Sequence, residues 1–87
     1  MNQSILFPDR QHWDEELQAV VFPAQQAGAL IECLVSADKL MQLSGQTIKD
    51  AQHAIELFDA LRFELEDLAE EQIEDEAFNA QGQILLF

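Results

Sequence analysis

The sequence contains one cysteine, two prolines, three glycines, no tyrosine and four basic residues among its 87 residues. Because Cys33 has no second cysteine to pair with, an intrachain disulfide is excluded, and a reducing cytoplasm is the expected location. The N-terminal stretch lacks a basic segment followed by an apolar one, so we expect no secretory signal. No apolar run approaches the roughly 18 residues that cross a bilayer, so we expect no membrane segment.

Negative charge is what the sequence has in excess. Seventeen acidic residues face the four basic ones and give a formal net charge of −13. A chain this acidic is repelled by nucleic acid and by anionic lipid, which argues against direct binding to DNA, RNA or a membrane surface. Eleven of the seventeen acids lie in residues 50–76, so the charge is concentrated in the C-terminal half.

Apolar residues make up 48% of the chain, enough for a packed core in one domain over residues 1–87. Pro23 cannot donate a ladder hydrogen bond, so that end of its strand is expected at a sheet edge or a bulge. Gly28 suits the positive φ of a turn that joins two strands into an antiparallel hairpin. The polar residues 9–17 are predicted to be a connection. The predicted strands are residues 4–8, 19–24, 29–36 and 83–87.

A short helix is predicted over residues 37–44, with Ser36 as its N-cap and Gly45 as a left-handed stop. Thr47, with Asp50 three residues later, resembles a capping box at the start of a second helix. Beyond it, apolar residues recur at three- and four-residue steps on one helical stripe. These are Ala51, Ile55, Phe58, Leu61, Leu65, Leu68, Ala69 and Ile73.

The second helix is too long for the domain that would contain it. From residue 47 to residue 78 it would extend about 47 Å at ~1.5 Å per residue. A compact domain of this size is only about 30 Å across, so the helix must bend, stop early or project. The whole pattern predicts an α+β fold: a small antiparallel β-sheet of about four strands packed by one short and one long α-helix in two layers.

The acidic residues of the long helix fall largely opposite its apolar stripe. A solvated helix face explains them without any function. However, Glu66–Glu70 and Glu70–Glu74 are like-charge pairs four residues apart, which destabilise a helix by ~0.2–0.5 kcal/mol each. Lysines would serve solubility equally well. This is a weak indication that a basic partner requires the negative charge.

Metal and catalytic patterns are weak, so we expect no metal site, no cofactor and no enzymatic activity. Neither histidine follows a glutamate at the spacing of carboxylate metal sites in helical bundles, and the acidic run lacks the glycine of a calcium-binding loop. Ser36 and Lys39 have the spacing of some acyl-transfer enzymes, but the companion motifs are absent. Cys33 lies on the apolar face of its strand, where an inert buried thiol is expected.

Two side chains near the middle of the long helix have open interpretations. Arg62 lies at the edge of the apolar stripe, within reach of Asp59 and Glu66, and is expected to be structural, with an anion receptor as the alternative. Phe63 and Phe78 fall on the acidic side of the helix. They either pack back onto the chain near Trp13 or form an exposed patch that anchors a partner or a second copy.

Several short motifs distributed over nearly the whole chain resemble one known family. They are Phe7–Pro8–Asp9–Arg10, Trp13–Asp14–Glu15, Phe22–Pro23–Ala24, Gly28, Cys33, and Arg62 followed by Glu66 and Ala69. This pattern resembles the YrdB-like family of short bacterial proteins, a domain of unknown function, although residues 39–57 match it poorly. The resemblance implies a bacterial cytoplasmic protein with an α+β fold, and it implies no activity.

These observations predict a small acidic binding or regulatory protein that contacts a basic protein partner through its C-terminal helix face. The alternative is a nucleic-acid mimic that inhibits a DNA- or RNA-binding protein, and an enzyme of unrecognised type comes third. Homo-oligomers are an open possibility. The candidate partner-binding residues are Phe63, Glu66, Asp67, Glu70, Glu74 and Trp13; the predicted structural residues are Arg62, Ser36, Thr47, Gly28 and Gly45.

Overall fold

The computed structural model describes residues 5–87, which form five strands and three helices. The predicted first strand, residues 4–8, is shorter in the structure, and its residue Ser4 lies outside the described residues. In chain order the elements are β1 (Ile5–Leu6), β2 (His12–Asp14), β3 (Ala19–Gln26), β4 (Ala29–Ser36), α1 (Ala37–Ser44), α2 (Ala51–Ala60), α3 (Arg62–Glu74) and β5 (Ile84–Leu86).

The sheet is mixed, which corrects the prediction of a purely antiparallel one. Its order is β1-β3-β4-β5, with β2 also paired to β3. The pairs made by β3 are antiparallel, whereas β4 and β5 run parallel, with Cys33 opposite Ile84. Parallel neighbours need a crossover connection, and α1, α2 and α3 supply it by returning the chain across one face of the sheet.

The β3–β4 hairpin follows the sequence prediction closely. Gln26 pairs with Ala29, so the loop has two residues, Ala27 at φ 53° and Gly28 at φ 82°. Two successive positive φ values define a tight turn whose twist matches that of the flanking strands. Gly28 adopts this conformation without strain, and the predicted turn is confirmed.

The edge of β3 opposite β4 is shared by two short strands. β2 pairs with residues 19–21 and β1 with residues 25–26, so the two strands lie end to end along this edge. Pro23 lies between the two paired stretches, where a missing N–H does no harm. This agrees with the prediction that Pro23 lies at a sheet edge, although β3 extends two residues beyond the predicted end at residue 24. The assignment of residues 12–14 to a plain connection is wrong, since they form β2.

The two helix starts differ from each other in how well the sequence predicted them. The Ser36 hydroxyl accepts a hydrogen bond from the Lys39 N–H at the start of α1, and Gly45 ends α1 at φ 72°, as predicted. The predicted cap at Thr47 is wrong. Asp50 is the N-cap of α2, since its carboxylate accepts from the His53 N–H at 2.8 Å.

The predicted long helix is divided at Leu61, where φ is −104° and ψ is 13°. The Leu61 N–H donates to the carbonyls of both Leu57 and Phe58, and the Leu65 N–H donates to the carbonyl of Leu61. No proline or glycine marks this position. α2 packs against β2 and β3, whereas α3 packs against β5, and the molecule measures 38 × 24 × 20 Å.

The core lies between the sheet and the helices. Phe22 and Phe58 meet at its centre with ring centroids 5.0 Å apart. No polar or charged side chain is buried among the residues described. Ala51 is exposed although it belongs to the predicted stripe, whereas Ala54 and Leu57 are buried outside it. The main core comprises Val20, Phe22, Ala24, Cys33, Val35, Leu40, Ala54, Phe58, Leu65, Ala69, Ile73, Ile84 and Leu86.

Candidate protein-binding surface

The exposed side of α3 presents one aromatic and three acidic residues in a row. Phe63, Asp67, Glu70 and Glu74 occupy positions i, i+4, i+7 and i+11, which share one face of a helix. The buried side of the same helix consists of Leu65, Ala69 and Ile73. We call these four outward residues the α3 stripe. It extends over about 16 Å at ~1.5 Å per residue.

Phe63 is the most exposed large apolar side chain among the residues described. It is 81% accessible, whereas Phe78, the other aromatic predicted on the acidic side, is 40% accessible. Phe63 borders an open depression of about 560 Å³ beside the N-terminus of α3. Phe7, Asp9, Gln11, Asp59, Arg62 and Glu66 complete its lining. The stripe thus begins with an aromatic ring next to a concave surface.

Arg62 fixes the first turn of α3 to the β1–β2 connection. Its Nε donates to Glu66 Oε2 at 2.9 Å, and one terminal nitrogen donates to Asp9 Oδ1 at 3.2 Å and to Gln11 Oε1 at 3.0 Å. The guanidinium carbon lies 5.5 Å from the centroid of the Phe58 ring, within cation–π range. These contacts use most of the donors of the guanidinium group, so the structural role predicted for Arg62 is favoured over an anion receptor.

The contacts of Arg62 set Glu66 apart from the other candidate acids. The Glu66 side chain is only 18% accessible and pairs with Arg62, which is 20% accessible. Asp67 and Glu74 are exposed, and Glu70 is partly exposed. Glu66 therefore holds α3 in place, whereas the other three carboxylates face the solvent.

Trp13 lies in β2, on the same side of the sheet as Val20, its partner in the β2–β3 register. Its ring is half-buried against the core, and its Nε1 donates to Glu15 Oε1 at 2.8 Å. Trp13 is not among the residues that line the depression beside Phe63. The structure thus keeps Phe63 with Asp67, Glu70 and Glu74, and places Trp13 and Glu66 in supporting positions.

Other chemistry on the described chain is limited. In residues 5–87, no group of three or more His, Cys, Asp or Glu side chains is arranged to hold a metal ion. Burial, with a smaller contribution from the charge of Glu32, raises the pKa of the Cys33 thiol to about 12. A protonated, enclosed thiol is a poor nucleophile, as expected for its face of the strand. None of the helices described is long and apolar enough to cross a membrane.

The nucleic-acid mimic hypothesis calls for carboxylates along one rod. The acids of the predicted long helix lie on two helices of 10 and 13 residues, divided at Leu61. The mimic and the protein-binding hypothesis both stay predictions.

Sequence reasoning missed the partners that Arg62 finds outside its own helix. Asp59 and Glu66 follow from helical spacing, but Asp9 and Gln11 lie more than 50 residues away in sequence. One feature of the sequence indicated this contact: Phe7–Pro8–Asp9–Arg10 and Arg62 both belong to the motifs that resemble the YrdB-like family.

Comparisons with known proteins agree on the family. A family described as a protein of unknown function, DUF1488, matches residues 5–86. The uncharacterized protein YrdB of Escherichia coli (strain K12) is 36% identical over 87 residues, with 99% of each chain covered. The uncharacterized protein YrdB of Shigella flexneri is 34% identical over the same share of both chains.

A solved structure extends the agreement to the fold. A crystal structure at 1.60 Å resolution of a protein of unknown function from the DUF1488 family of Shewanella loihica PV-4 matches with a TM-score of 0.94. The two chains are 42% identical, and the match covers 98% of this chain and 93% of the other. The α+β class and the resemblance seen in the sequence are thereby confirmed, and the chain belongs to the DUF1488 family.

Proposed function

We propose that this protein is a noncatalytic binding protein whose α3 stripe docks a basic segment of another protein. The observation that carries the proposal is the exposed ring of Phe63 at the head of a row of solvent-facing carboxylates. Aromatic residues supply much of the binding energy at protein interfaces. Acidic residues beside them select partners of opposite charge and speed association.

The position of Phe63 supports a role in contact. The Phe63 ring is 81% accessible, so its burial contributes little to the stability of the fold. Other apolar side chains of the same helix are buried in the core. The depression between Phe63 and Phe7 offers a place for one apolar side chain of a partner. A lysine or arginine on either side of that residue would then reach Asp67 or Glu70.

The electrostatics of α3 support the same role. Six of its thirteen residues are acidic, and its last turn has no basic residue. Like charges along a helix and acids near its C-terminus both lower helix stability. A basic partner would relieve that repulsion on binding, so the complex is expected to weaken as salt concentration rises.

The proposal is tested by capture from a cell lysate with four immobilised baits. They are the unmodified protein, the variant Phe63→Ala, a stripe variant and a control variant. The stripe variant is Asp67→Asn, Glu70→Gln and Glu74→Gln, which leaves the Arg62–Glu66 pair intact. The control variant is Glu16→Gln, Asp38→Asn and Glu56→Gln, which removes the same number of charges from exposed positions outside α3.

A protein with a basic surface should be retained by the unmodified and control baits, lost from the stripe and Phe63→Ala baits, and released by salt. Equal loss from both triple variants would show that net charge alone is responsible. Equal retention by all four baits would return α3 to the interpretation of a solvated face. Either result would overturn the proposal.

A further inference from the structure

The helices pack on one face of the sheet. We call the opposite face the outer sheet face. The β3–β4 register places Ala19 with Ser36, Val21 with Leu34, Pro23 with Glu32 and Gln25 with Leu30 on that face. Leu85 joins them beside Leu34, and Leu6 joins them beside Gln25. Ala19, Val21 and Leu34 form a buried apolar cluster of their own there, separate from the main core.

Large apolar side chains remain exposed around this cluster. Leu30 is 67% accessible, Leu6 62% and Leu85 37%. All three lie on the same face as Val21, Pro23 and Leu34, with Gln25 and Glu32 between them. Apolar side chains gathered on one face of a folded chain often mark contacts with another molecule.

The outer sheet face also carries little negative charge. Its strand residues include two acids, Asp14 and Glu32, while eleven of the seventeen acids lie in residues 50–76, which form the α2 and α3 region. Two copies of a chain with a net charge of −13 repel each other wherever their helical layers approach. The outer sheet face is the surface where that repulsion is weakest.

We propose that the outer sheet face binds a second copy of this chain, face to face, about a two-fold axis close to Pro23. Arg10, His12 and Glu32 line a shallow depression of about 290 Å³ together with Val21, Pro23 and Leu30. His12 pairs with Val21, so Arg10 follows the same edge of β3 toward Pro23, and Glu32 pairs with Pro23 from β4.

The two flanks of Pro23 have opposite charges, and this makes the face self-complementary. A two-fold axis along β3 exchanges the flanks, so Arg10 of one copy meets the partner's Glu32, and the same pair forms again on the other side. An isologous contact requires a surface that matches itself in this way. Leu30 and the other exposed leucines would be covered by the same arrangement.

The size of the face agrees with a weak dimer. β3 and β4 contribute eight residues each and the three short strands two or three each, which at ~4.8 Å between strands and ~3.3 Å per residue gives a footprint of about 400 Å² per copy. Two copies would bury about 800 Å², in the range of weak, transient interfaces. The dimer would leave both α3 stripes on its outside, so a partner with two basic segments would bind with higher apparent affinity.

Sedimentation velocity of the purified protein, from about 1 µM to 1 mM, tests the proposal. The unmodified chain should shift from 9.9 kDa toward twice that mass as concentration rises. Leu30→Asp should weaken the dimer by at least tenfold, or about 1.4 kcal/mol, because it buries a charge in the contact. Phe63→Asp, the same kind of change on the helical side, should leave dimerisation unaltered. Circular dichroism melts verify that each variant is folded.

A charge exchange provides the sharper test of the two-fold arrangement. Arg10→Glu and Glu32→Arg should each weaken the dimer, whereas the double variant should restore it, because the pair re-forms with its signs reversed. A chain that remains a monomer at every concentration would overturn the proposal. A dimer that survives Leu30→Asp but is lost in Phe63→Asp would also overturn it. Neither result depends on whether the α3 stripe binds a partner.

Discussion

The two halves of the divided helix, α2 and α3, contribute similarly to the core but differ in what stabilises them. Each buries three apolar residues against the sheet. The carboxylate of Asp50 caps α2, and α2 contains two acids. By contrast, α3 begins at Leu61 with no side-chain cap and contains six acids in thirteen residues. Packing and the contacts of Arg62 therefore hold α3 against its own charge.

This difference suggests a division of roles within one stretch of sequence. The half with a side-chain cap and two acids is proposed to be structural, and the half with no side-chain cap and six acids presents the proposed binding surface. Functional surfaces often retain features that lower stability. The predictions below test whether the two helices differ as stated, beginning with the largest expected effect.

Arg62→Ala should lower the free energy of unfolding by about 2–3 kcal/mol, since it leaves the poorly accessible Glu66 without its cation and frees the β1–β2 connection. Urea unfolding measures the loss. Arg62→Lys should recover part of it, because one ammonium group cannot replace the several hydrogen bonds of the guanidinium fork. Lys49→Ala is the control at an exposed basic residue. Equal losses from both alanine variants would mean that α3 does not depend on Arg62.

Alkaline pH should lower the stability of the protein through Cys33 in the sheet. Neither α2 nor α3 contains a lysine, tyrosine or cysteine, so the helices should not contribute to this loss. Burial in the folded state raises the pKa of Cys33 from its ordinary value of 9.0 to about 12. Its stabilising contribution is therefore complete below about pH 9 and is lost as pH rises toward 12, reaching a loss of about 1 kcal/mol at pH 10. Thermal melts across this range measure the loss.

Cys33→Ala provides the comparison for the alkaline melts. The variant should be less stable at pH 7 because it removes buried volume, yet its melting temperature should change less between pH 8.5 and pH 10. A pH dependence identical to that of the unmodified chain would show that Cys33 is not the source of the alkaline loss.

Asp50→Ala should destabilise the protein by about 1 kcal/mol, because the first turn of α2 loses its cap. Thr47→Ala should change the stability by only a few tenths of a kcal/mol, since Thr47 is exposed and lies before the helix start. Denaturant midpoints of the two variants decide between the caps. A larger loss from Thr47→Ala would restore the helix start that the sequence alone suggested.

Glu71→Lys should stabilise the protein by about 0.5 kcal/mol, which is the smallest effect. A lysine at this exposed position of α3 would lie four residues from both Asp67 and Asp75, and it would suit the C-terminal end of the helix dipole. Glu56→Lys in α2 would have one acid within reach, Asp59 three residues on, and should give a smaller gain. The difference in melting temperature should shrink as salt is added. If Glu56→Lys stabilises the protein as much as Glu71→Lys does, charge repulsion does not lower the stability of α3 more than that of α2.

The sequence predicted those features that depend on neighbouring residues. The β3–β4 hairpin, the Ser36 cap and the Gly45 stop each rest on local chemistry, and all three are present. Helical spacing also brought Arg62 next to Glu66. Such features are accessible because propensity, capping and turn geometry act over a few residues.

Features that depend on distant parts of the chain were missed. β2 has only three residues and lies in an otherwise polar stretch. It is too short to show the alternation of apolar and polar residues that predicts a strand. The parallel pairing of β5 with β4 depends on where the chain lies after the three helices. The division of the helix at Leu61 has no proline or glycine to mark it. Similarly, the outer sheet face appears only once the strands are placed in register.

The parallel pairing of β4 with β5 has a consequence for the order of folding. Cys33 and Ile84 are 51 residues apart in sequence, so their pairing closes a long loop at a substantial cost in chain entropy. The β3–β4 hairpin closes over two residues and should form early. We therefore expect β5 to join the sheet late, after the helices have shortened the distance it must span, and stopped-flow refolding should find substitutions at Ile84 acting mainly on the unfolding rate.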